Sequence, residues 1–279
     1  MKVKVISDST CDLSDEILKR YDIDIVPFTV VLGEKECKDG VDIDTVSLLE
    51  YAKNAKELPK TTAANYGEFE EVFKKYLDGN TEIVYIGISS QLSCGFQNMK
   101  TVAEDLGNVY YLDGKSLSTG TGLLLIKACE LAQDGKSAKE IIEALQPMVD
   151  KVQASFVVEK VDFLRKGGRC SMLASVGASL LKIKPSLILK DGKILSDKKF
   201  FGRHDEVMKK YVNYIFEKYP NYDDSRIFIT HTPSNEEYVQ VVRDLVKEKG
   251  FKEVIETTAG ATISCHCGPN TIGILYLTK

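Results

Sequence analysis

The chain has 279 residues, of which 43 % are apolar and 28 % charged, with a formal net charge of -4. That balance fits a globular protein of one or two domains and excludes a disordered chain, and mild acidity with no basic tract argues against general nucleic-acid binding. No apolar run reaches bilayer length, the first residues enter a strand pattern at once, and the seven cysteines form no repeating framework, so free thiols in a reducing, cytoplasmic setting are expected.

In chain order, residues 3–7 read as a first strand, followed by the polar turn Asp8-Ser9-Thr10-Cys11-Asp12 and a helix over 14–20. A second strand over 23–32 contains Pro27, which cannot donate to a ladder and marks an edge or an irregularity. Residues 33–44 form an acidic loop, 45–55 a helix, 58–65 a hydroxyl-rich loop and 67–77 another helix. The strand 82–86 then runs into Ser89, Ser90 and Ser93 before a helix over 96–105. A strand at 108–113, a polar turn at 114–120 and helices at 122–133 and 137–152 complete this half.

Strand followed by helix, several times over, signals a parallel sheet with helices on both faces, a three-layer α/β domain over residues 1–153 with its ligand at the carboxyl ends of the strands. From residue 154 the rhythm changes. Asp191-Gly192 between apolar runs is a hairpin signal that pairs 187–189 with 194–195, and helices at 205–218 and 234–249 alternate with strands at 226–230, 253–256 and 272–277. Residues 154–279 are therefore expected to form a second α/β domain with a mixed, partly antiparallel sheet.

A strand that passes through serines into a helix leaves backbone amides free at the helix start, which favours a carboxylate or phosphate near Ser93; Ser93 acting only as an N-cap is the plainer alternative. Thr61, Thr62 and Ser93 form a hydroxyl set expected at one sheet edge, able to serve a carboxyl group charged or neutral, although Thr61 and Thr62 also suit a loop-shaping role. Ser93 as a nucleophile needs a base, and neither the spacing nor the order of the three histidines marks a triad.

Cys265-His266-Cys267 resembles a metal site, but read as a strand its alternate residues face opposite ways and no second cluster completes a tetrahedral set, so no metal is expected. His266 then reads as a loop imidazole at the mouth of a site, or as a solvated loop residue. Arg165-Lys166-Gly167-Gly168-Arg169 lacks the length of a Walker loop and reads as a basic corner, which Arg203 extends unless it is simply solvated. Residues 171–181 suggest a helix with Ala174, Gly177, Ala178 and Leu181 on one face, leaving room for a narrow apolar ligand or allowing close helix packing.

Together these segments resemble the DegV family, whose members include the fatty-acid-binding subunits of bacterial fatty acid kinase. The resemblance spans nearly the whole chain: Val5-Ile6-Ser7-Asp8-Ser9-Thr10-Cys11-Asp12-Leu13, Val26-Pro27-Phe28, Pro59-Lys60-Thr61-Thr62, Ile88-Ser89-Ser90-Gln91-Leu92-Ser93, Leu112-Asp113, Arg165 to Arg169 and His266-Cys267-Gly268-Pro269-Asn270. It implies two α/β domains with a fatty acid buried between them and the carboxyl end bound by the hydroxyls matching Thr61 and Ser93. It also implies that the residues matching Arg169, Arg203 and His266 lie near the opening where a separate kinase docks. The chain departs from the family's common Leu-Ser-Gly-Thr-Tyr-Gln at Cys94 and Gly95, which bears on the head-group contacts, and ends the last motif in Asn270, a residue that tolerates the left-handed backbone of the usual glycine.

The expected carboxylate set is thus Thr61, Thr62, Ser93, Cys94 and Gly95, with Ala174, Gly177, Ala178 and Leu181 along the acyl chain and Arg169, Arg203 and His266 at the opening. Each buried methylene contributes roughly 0.8 kcal/mol, so the tail supplies affinity while the hydroxyls orient the head. The expected role is a non-catalytic carrier that presents a long-chain fatty acid to an ATP-dependent kinase, giving acyl-phosphate. It needs no cofactor beyond that ligand and allows transient contact with a membrane surface. The rival expectations are a serine-dependent acyl hydrolase or transferase and a lipid-sensing regulatory module.

Overall fold

The structure, a computed structural model, describes residues 1–169 and 183–279. β1 (Lys2–Asp8) and β6 (Thr81–Gly87) are the inner strands of a four-stranded parallel sheet, flanked by β2 (Ile23–Val26) and β7 (Val109–Asp113) in the order β2-β1-β6-β7. Ile83, Val84, Tyr85 and Ile86 of β6 are wholly buried, as a strand covered on both faces requires. After α1 (Asp15–Tyr21) and α2 (Thr45–Asn54), α3 (Tyr66–Lys74) and α4 (Gly95–Leu106) cover one face; α5 (Thr119–Gln133) and α6 (Ala138–Leu145) cover the other. α6 stops short of the expected helix end because Pro147 starts a 3₁₀ segment over Gln146–Lys151.

Pro27 splits the expected second strand in two. β2 stays in the parallel sheet, whereas β3 (Thr29–Leu32) leaves it and joins β4 (Lys35–Lys38) and β5 (Lys60–Thr62) in a small antiparallel sheet ordered β4-β3-β5. Two segments read from sequence as loops are thus short strands, and the pairing of Val30 with Thr61 fixes where the Thr61 side chain lies.

β8 (Val152–Val157), β9 (Ile183–Lys190), β10 (Lys193–Phe201), β11 (Tyr222–His231), β12 (Glu253–Thr258) and β13 (Ile272–Thr278) form a second sheet in the order β10-β9-β8-β13-β11-β12. Only β11 and β12 are parallel; the other neighbours are antiparallel. The β9–β10 hairpin pairs Leu189 with Ile194 and Ile188 with Leu195, and both turn residues, Asp191 (φ 51°) and Gly192 (φ 76°), take the left-handed conformation of a tight hairpin. α8 (His204–Lys218) and α9 (Glu236–Lys247) cover one face. The other face packs onto the first half, where Phe156, Leu187 and Ile194 join the same apolar cluster as Phe28, Tyr85 and Met99.

Polar bonds also tie the halves. α10 (Ala261–Cys267) begins with amides that find their acceptors in the first half: Gly260 N–H donates to Asp12 at 2.8 Å, and Ala261 and Thr262 N–H donate to Asp39 at 2.8 and 3.1 Å. Burial holds the Asp12 carboxyl well above the usual carboxylate range, against the opposing pull of its hydrogen bonds from Ser118 and Gly260. The helix corrects the sequence reading of Cys265-His266-Cys267 as strand or loop. His266 is helical, and its position follows from where the two aspartates hold the start of α10.

Candidate functional site

A cavity of about 190 Å³ lies between the halves. Phe28, Ile88, Leu92 and Leu117 line it from the first half, and Leu164, Ile194 and Ile263 from the second. Set into this apolar wall are Thr61, Thr62, Ser93, Cys94, Arg169, Thr262 and His266. Thr10 after β1 and Ile88, Leu92, Ser93 and Cys94 after β6 also line it, so the carboxyl ends of both inner strands contribute to the pocket, the edge at which parallel sheets bind ligands.

Ser93 sits one residue before the helix boundary. Cys94 takes the N-cap position of α4 and supplies no side-chain cap, while Ser93 Oγ accepts from Gly95 N–H at 3.1 Å and keeps its own hydrogen free to donate. Gly95 N–H, the first amide of α4, is thus satisfied by Ser93, while the next two, of Phe96 and Gln97, receive no cap from the Cys94 side chain, and a helix start of this kind beside the cavity favours an anion. Gly95 itself is buried behind the lining: a Cβ there would come within 2.6 Å of Phe28 Cζ, so the glycine lets the helix start close against Phe28. The preceding loop is pinned across the halves, because Ser89 Oγ donates to Gly192 O of the β9–β10 turn at 2.7 Å.

Thr61 Oγ1 lies 2.8 Å from His266 Nε2. The other ring nitrogen, Nδ1, is buried without a partner, and it faces Gly167 so closely that a Cβ on that residue would come within 2.3 Å of it. Burial, followed by the nearby positive charge of Arg169, pushes the His266 pKa down to about 4, so the imidazole is neutral at pH 7. The two glycines of the Arg165-Lys166-Gly167-Gly168-Arg169 segment divide the work. Gly168 (φ 69°) ends α7 (Asp162–Gly167) in the left-handed conformation, and Gly167 makes room for the imidazole.

Arg169 follows with an exposed guanidinium that donates to Gly167 O at 2.7 Å and to Leu92 O at 3.4 Å. Thr61, Arg169 and His266 also line a neighbouring open groove of about 490 Å³ that carries Lys56, Lys60 and Lys166. These three residues form the partition between a largely apolar interior and a basic exterior.

Arg203 lies apart. Its guanidinium pairs with Asp205 at 3.1 and 3.2 Å, and it lines neither the cavity nor the groove. Ala174, Gly177, Ala178 and Leu181 lie outside the described residues. Asn270 takes φ 56°, the backbone that the sequence comparison with a glycine called for.

All three histidines have other partners than Ser93: His204 bonds Asn270 O, His231 bonds Thr232 O and lies 3.5 Å from Glu256, and His266 bonds Thr61. Cys265 is buried, which pushes its thiol up to about 12; among the described residues no group of three or more His, Cys, Asp or Glu side chains gathers as metal ligands, and no helix is long and apolar enough to cross a membrane. Sequence reasoning passed over Thr262 and the capping pair Asp12 and Asp39. The i to i+4 spacing of Thr262 and His266 would have placed them on one face had the segment been read as helix.

The family model described as "Uncharacterised protein, DegV family" matches residues 2–279. A DegV domain-containing protein of Clostridium acetobutylicum is 29 % identical over 281 residues, covering 100 % of this chain and 99 % of its own, and one of Caldanaerobacter subterraneus is 28 % identical over 285 residues with 100 % and 99 % covered. Among solved structures, the chain superposes on "DegV, a fatty acid binding protein from Bacillus subtilis" with a TM-score of 0.86 at 26 % identity, covering 100 % of each chain. A DegV family protein from Thermus thermophilus gives a TM-score of 0.92 at 24 % identity, again over 100 % of each chain, a likeness of fold.

Proposed function

The chain belongs to the DegV family, and we propose that it is a non-catalytic carrier that encloses a long-chain fatty acid between its two halves, residues 1–153 and 154–279, and offers the carboxyl group to a separate ATP-dependent kinase. The observation that carries this reading is one side of the cavity: the Ser93 hydroxyl, with its hydrogen free at the start of α4, stands with Thr61 and Thr62 in a largely apolar wall. A tail among Phe28, Ile88, Leu117, Ile194 and Ile263 gives roughly 0.8 kcal/mol per buried methylene, and the polar group at one end fixes which way the ligand lies. The Bacillus subtilis relative, named as a fatty acid binding protein, supports the ligand class.

His266 sets the state of Thr61. Nε2–H donating to Thr61 Oγ1 leaves the threonine hydrogen free for a carboxylate and leaves Nδ1 a bare lone pair against Gly167, the cheaper of the two tautomers where no acceptor is available. Ser93, Thr61 and Thr62 then hold the head, with Cys94 beside them and Arg169 at the mouth. The neutral imidazole adds no cation that would lock the carboxylate in place. The three histidines bond groups other than Ser93, which speaks against Ser93 as a nucleophile; the phosphoryl transfer that makes acyl-phosphate is assigned to the partner, and the groove bearing Lys56, Lys60 and Lys166 is where that partner's phosphate-bearing site would approach.

Denaturing mass spectrometry of the organic extract from protein made in lipid-replete cells tests the ligand. The expected result is a stoichiometric C14 to C18 acid; an extract without lipid overturns the reading. Incubation with a fatty acid kinase and ATP should then give acyl-phosphate with the wild type and much less with Arg169→Glu.

A further inference from the structure

One polar group in the cavity is left over by the carboxylate site. Thr262 is 5 % exposed and lines the cavity, yet its Oγ1 has no hydrogen-bond partner, although its backbone N–H is well satisfied by Asp39. It lies one turn before His266 on the same face of α10, about 6 Å along the helix axis, and it lines the cavity but not the basic groove. A buried hydroxyl without a partner is costly, and a threonine in a helix facing an apolar wall has cheap alternatives in valine or alanine.

A trapped water is a poor remedy. It needs roughly two to four polar partners; Thr10 Oγ1 donates to Asp8 and Thr61 Oγ1 is bonded to His266, and the hydroxyls of Ser93 and Thr62 are those the carrier reading assigns to the carboxyl head. A ligand already anchored by its carboxyl and tail needs only one.

We infer that Thr262 is a second polar station in the acyl cavity, and that the ligand class this chain takes in preference is a fatty acid carrying a hydroxyl or oxo group on its chain, several carbons from the carboxyl. This rests on the carrier reading above and adds the substituent to it. The hydroxyl at Thr262 donates to an oxo group, or either donates to or accepts from a chain hydroxyl; an unsubstituted chain leaves it unpaired.

Calorimetric titration of the delipidated full chain with palmitic acid and with a positional series of hydroxypalmitic acids tests the inference, using wild type, Thr262→Val and Thr262→Ser. In the wild type one hydroxy isomer should bind about tenfold tighter than palmitate; Thr262→Val should erase that preference and bind palmitate at least as well as the wild type, and Thr262→Ser should restore the preference. Equal binding of plain and hydroxy acids by the wild type, or a preference that survives Thr262→Val, overturns the inference while leaving the carrier reading intact. Failure of every acid to bind the wild type removes both. Thermal melts of the three proteins identify a variant that has lost its fold, and Thr262→Ser then carries the comparison alone.

Discussion

The two walls of the cavity are made in different ways. The first-half wall is local: Ser93 follows β6 by a few residues, its hydroxyl is held by Gly95 N–H two residues on, and Thr61 is placed by pairing of β5 with the neighbouring β3. The second-half wall is borrowed, because α10, which carries Thr262, Ile263, His266 and Cys267 into the cavity, begins on amides satisfied by Asp12 and Asp39 some 220 residues or more away in sequence. Loosening the halves should disturb the second wall more than the first, which meets the other half through Ser89 with Gly192 and Thr61 with His266. Binding geometry and coupling of the halves are therefore the same property in this fold.

The sharpest way to break that contrast is to uncap the borrowed helix. Asp39→Ala leaves two buried amides without acceptors and should lower unfolding stability by about 3 kcal/mol in urea titrations, with fatty acid affinity falling alongside. A variant that keeps wild-type stability would show that the second wall stands unaided. Gly167→Ala strikes the same wall from the other side: a Cβ 2.3 Å from His266 Nδ1 displaces the ring from Thr61, and affinity should fall about tenfold or more, whereas Gly168→Ala, strained only at the end of α7, should cost stability of about 1 kcal/mol and little binding.

The local wall should respond differently. Ser93→Ala removes one hydrogen bond to a charged group and the acceptor of Gly95 N–H, and should weaken binding of palmitate about tenfold while costing only about 1 kcal/mol of stability, less than Asp39→Ala. A large loss of stability there would erase the distinction between the walls.

Acid should discriminate them too. His266 is held near pKa 4 in the fold against 6.5 in the unfolded chain, so the unfolded state binds the extra proton first as pH falls. The contribution to stability is complete above pH 6.5 and is lost between pH 6.5 and 4, by up to about 3 kcal/mol. His204 is also lowered by burial and has the same sign, so the quantity to measure is the difference between wild type and His266→Gln, in which the His266 slope disappears. The smallest effect is at Cys94, the exposed thiol among the described cysteines: it lines the cavity, and bound palmitate should slow its alkylation by iodoacetamide a few-fold.

The same contrast explains what could be read from the sequence. Alternation of apolar strands and helices disclosed the parallel sheet, Asp191-Gly192 disclosed the hairpin, and a hydroxyl-rich strand-to-helix junction drew attention to Ser93, because each is a short-range signal. β4 and β5 were hidden, since strands of three or four polar residues carry no periodicity and are held by partners elsewhere. α10 was hidden for a related reason: its seven residues hold two cysteines, two threonine or serine hydroxyls and a β-branched isoleucine, all indifferent helix formers, and its N-terminal caps come from the other half of the chain. With the helix unseen, His266 read as a loop residue, and Thr262, the side chain one turn before it, drew no attention. Arg203 reads from sequence as an extension of the Arg165 to Arg169 corner, or as a solvated residue, and neither reading registers the Asp205 carboxylate two residues on with which it pairs.

The most direct test of the account is carbon-13 NMR of palmitic acid labelled at the carboxyl carbon and bound to the delipidated protein. A single bound carboxyl resonance, shifted from that of the free acid and displaced again in both Ser93→Ala and Thr61→Val, is the predicted result. A carboxyl resonance indifferent to both substitutions, or one that titrates like acid free in water, would contradict it.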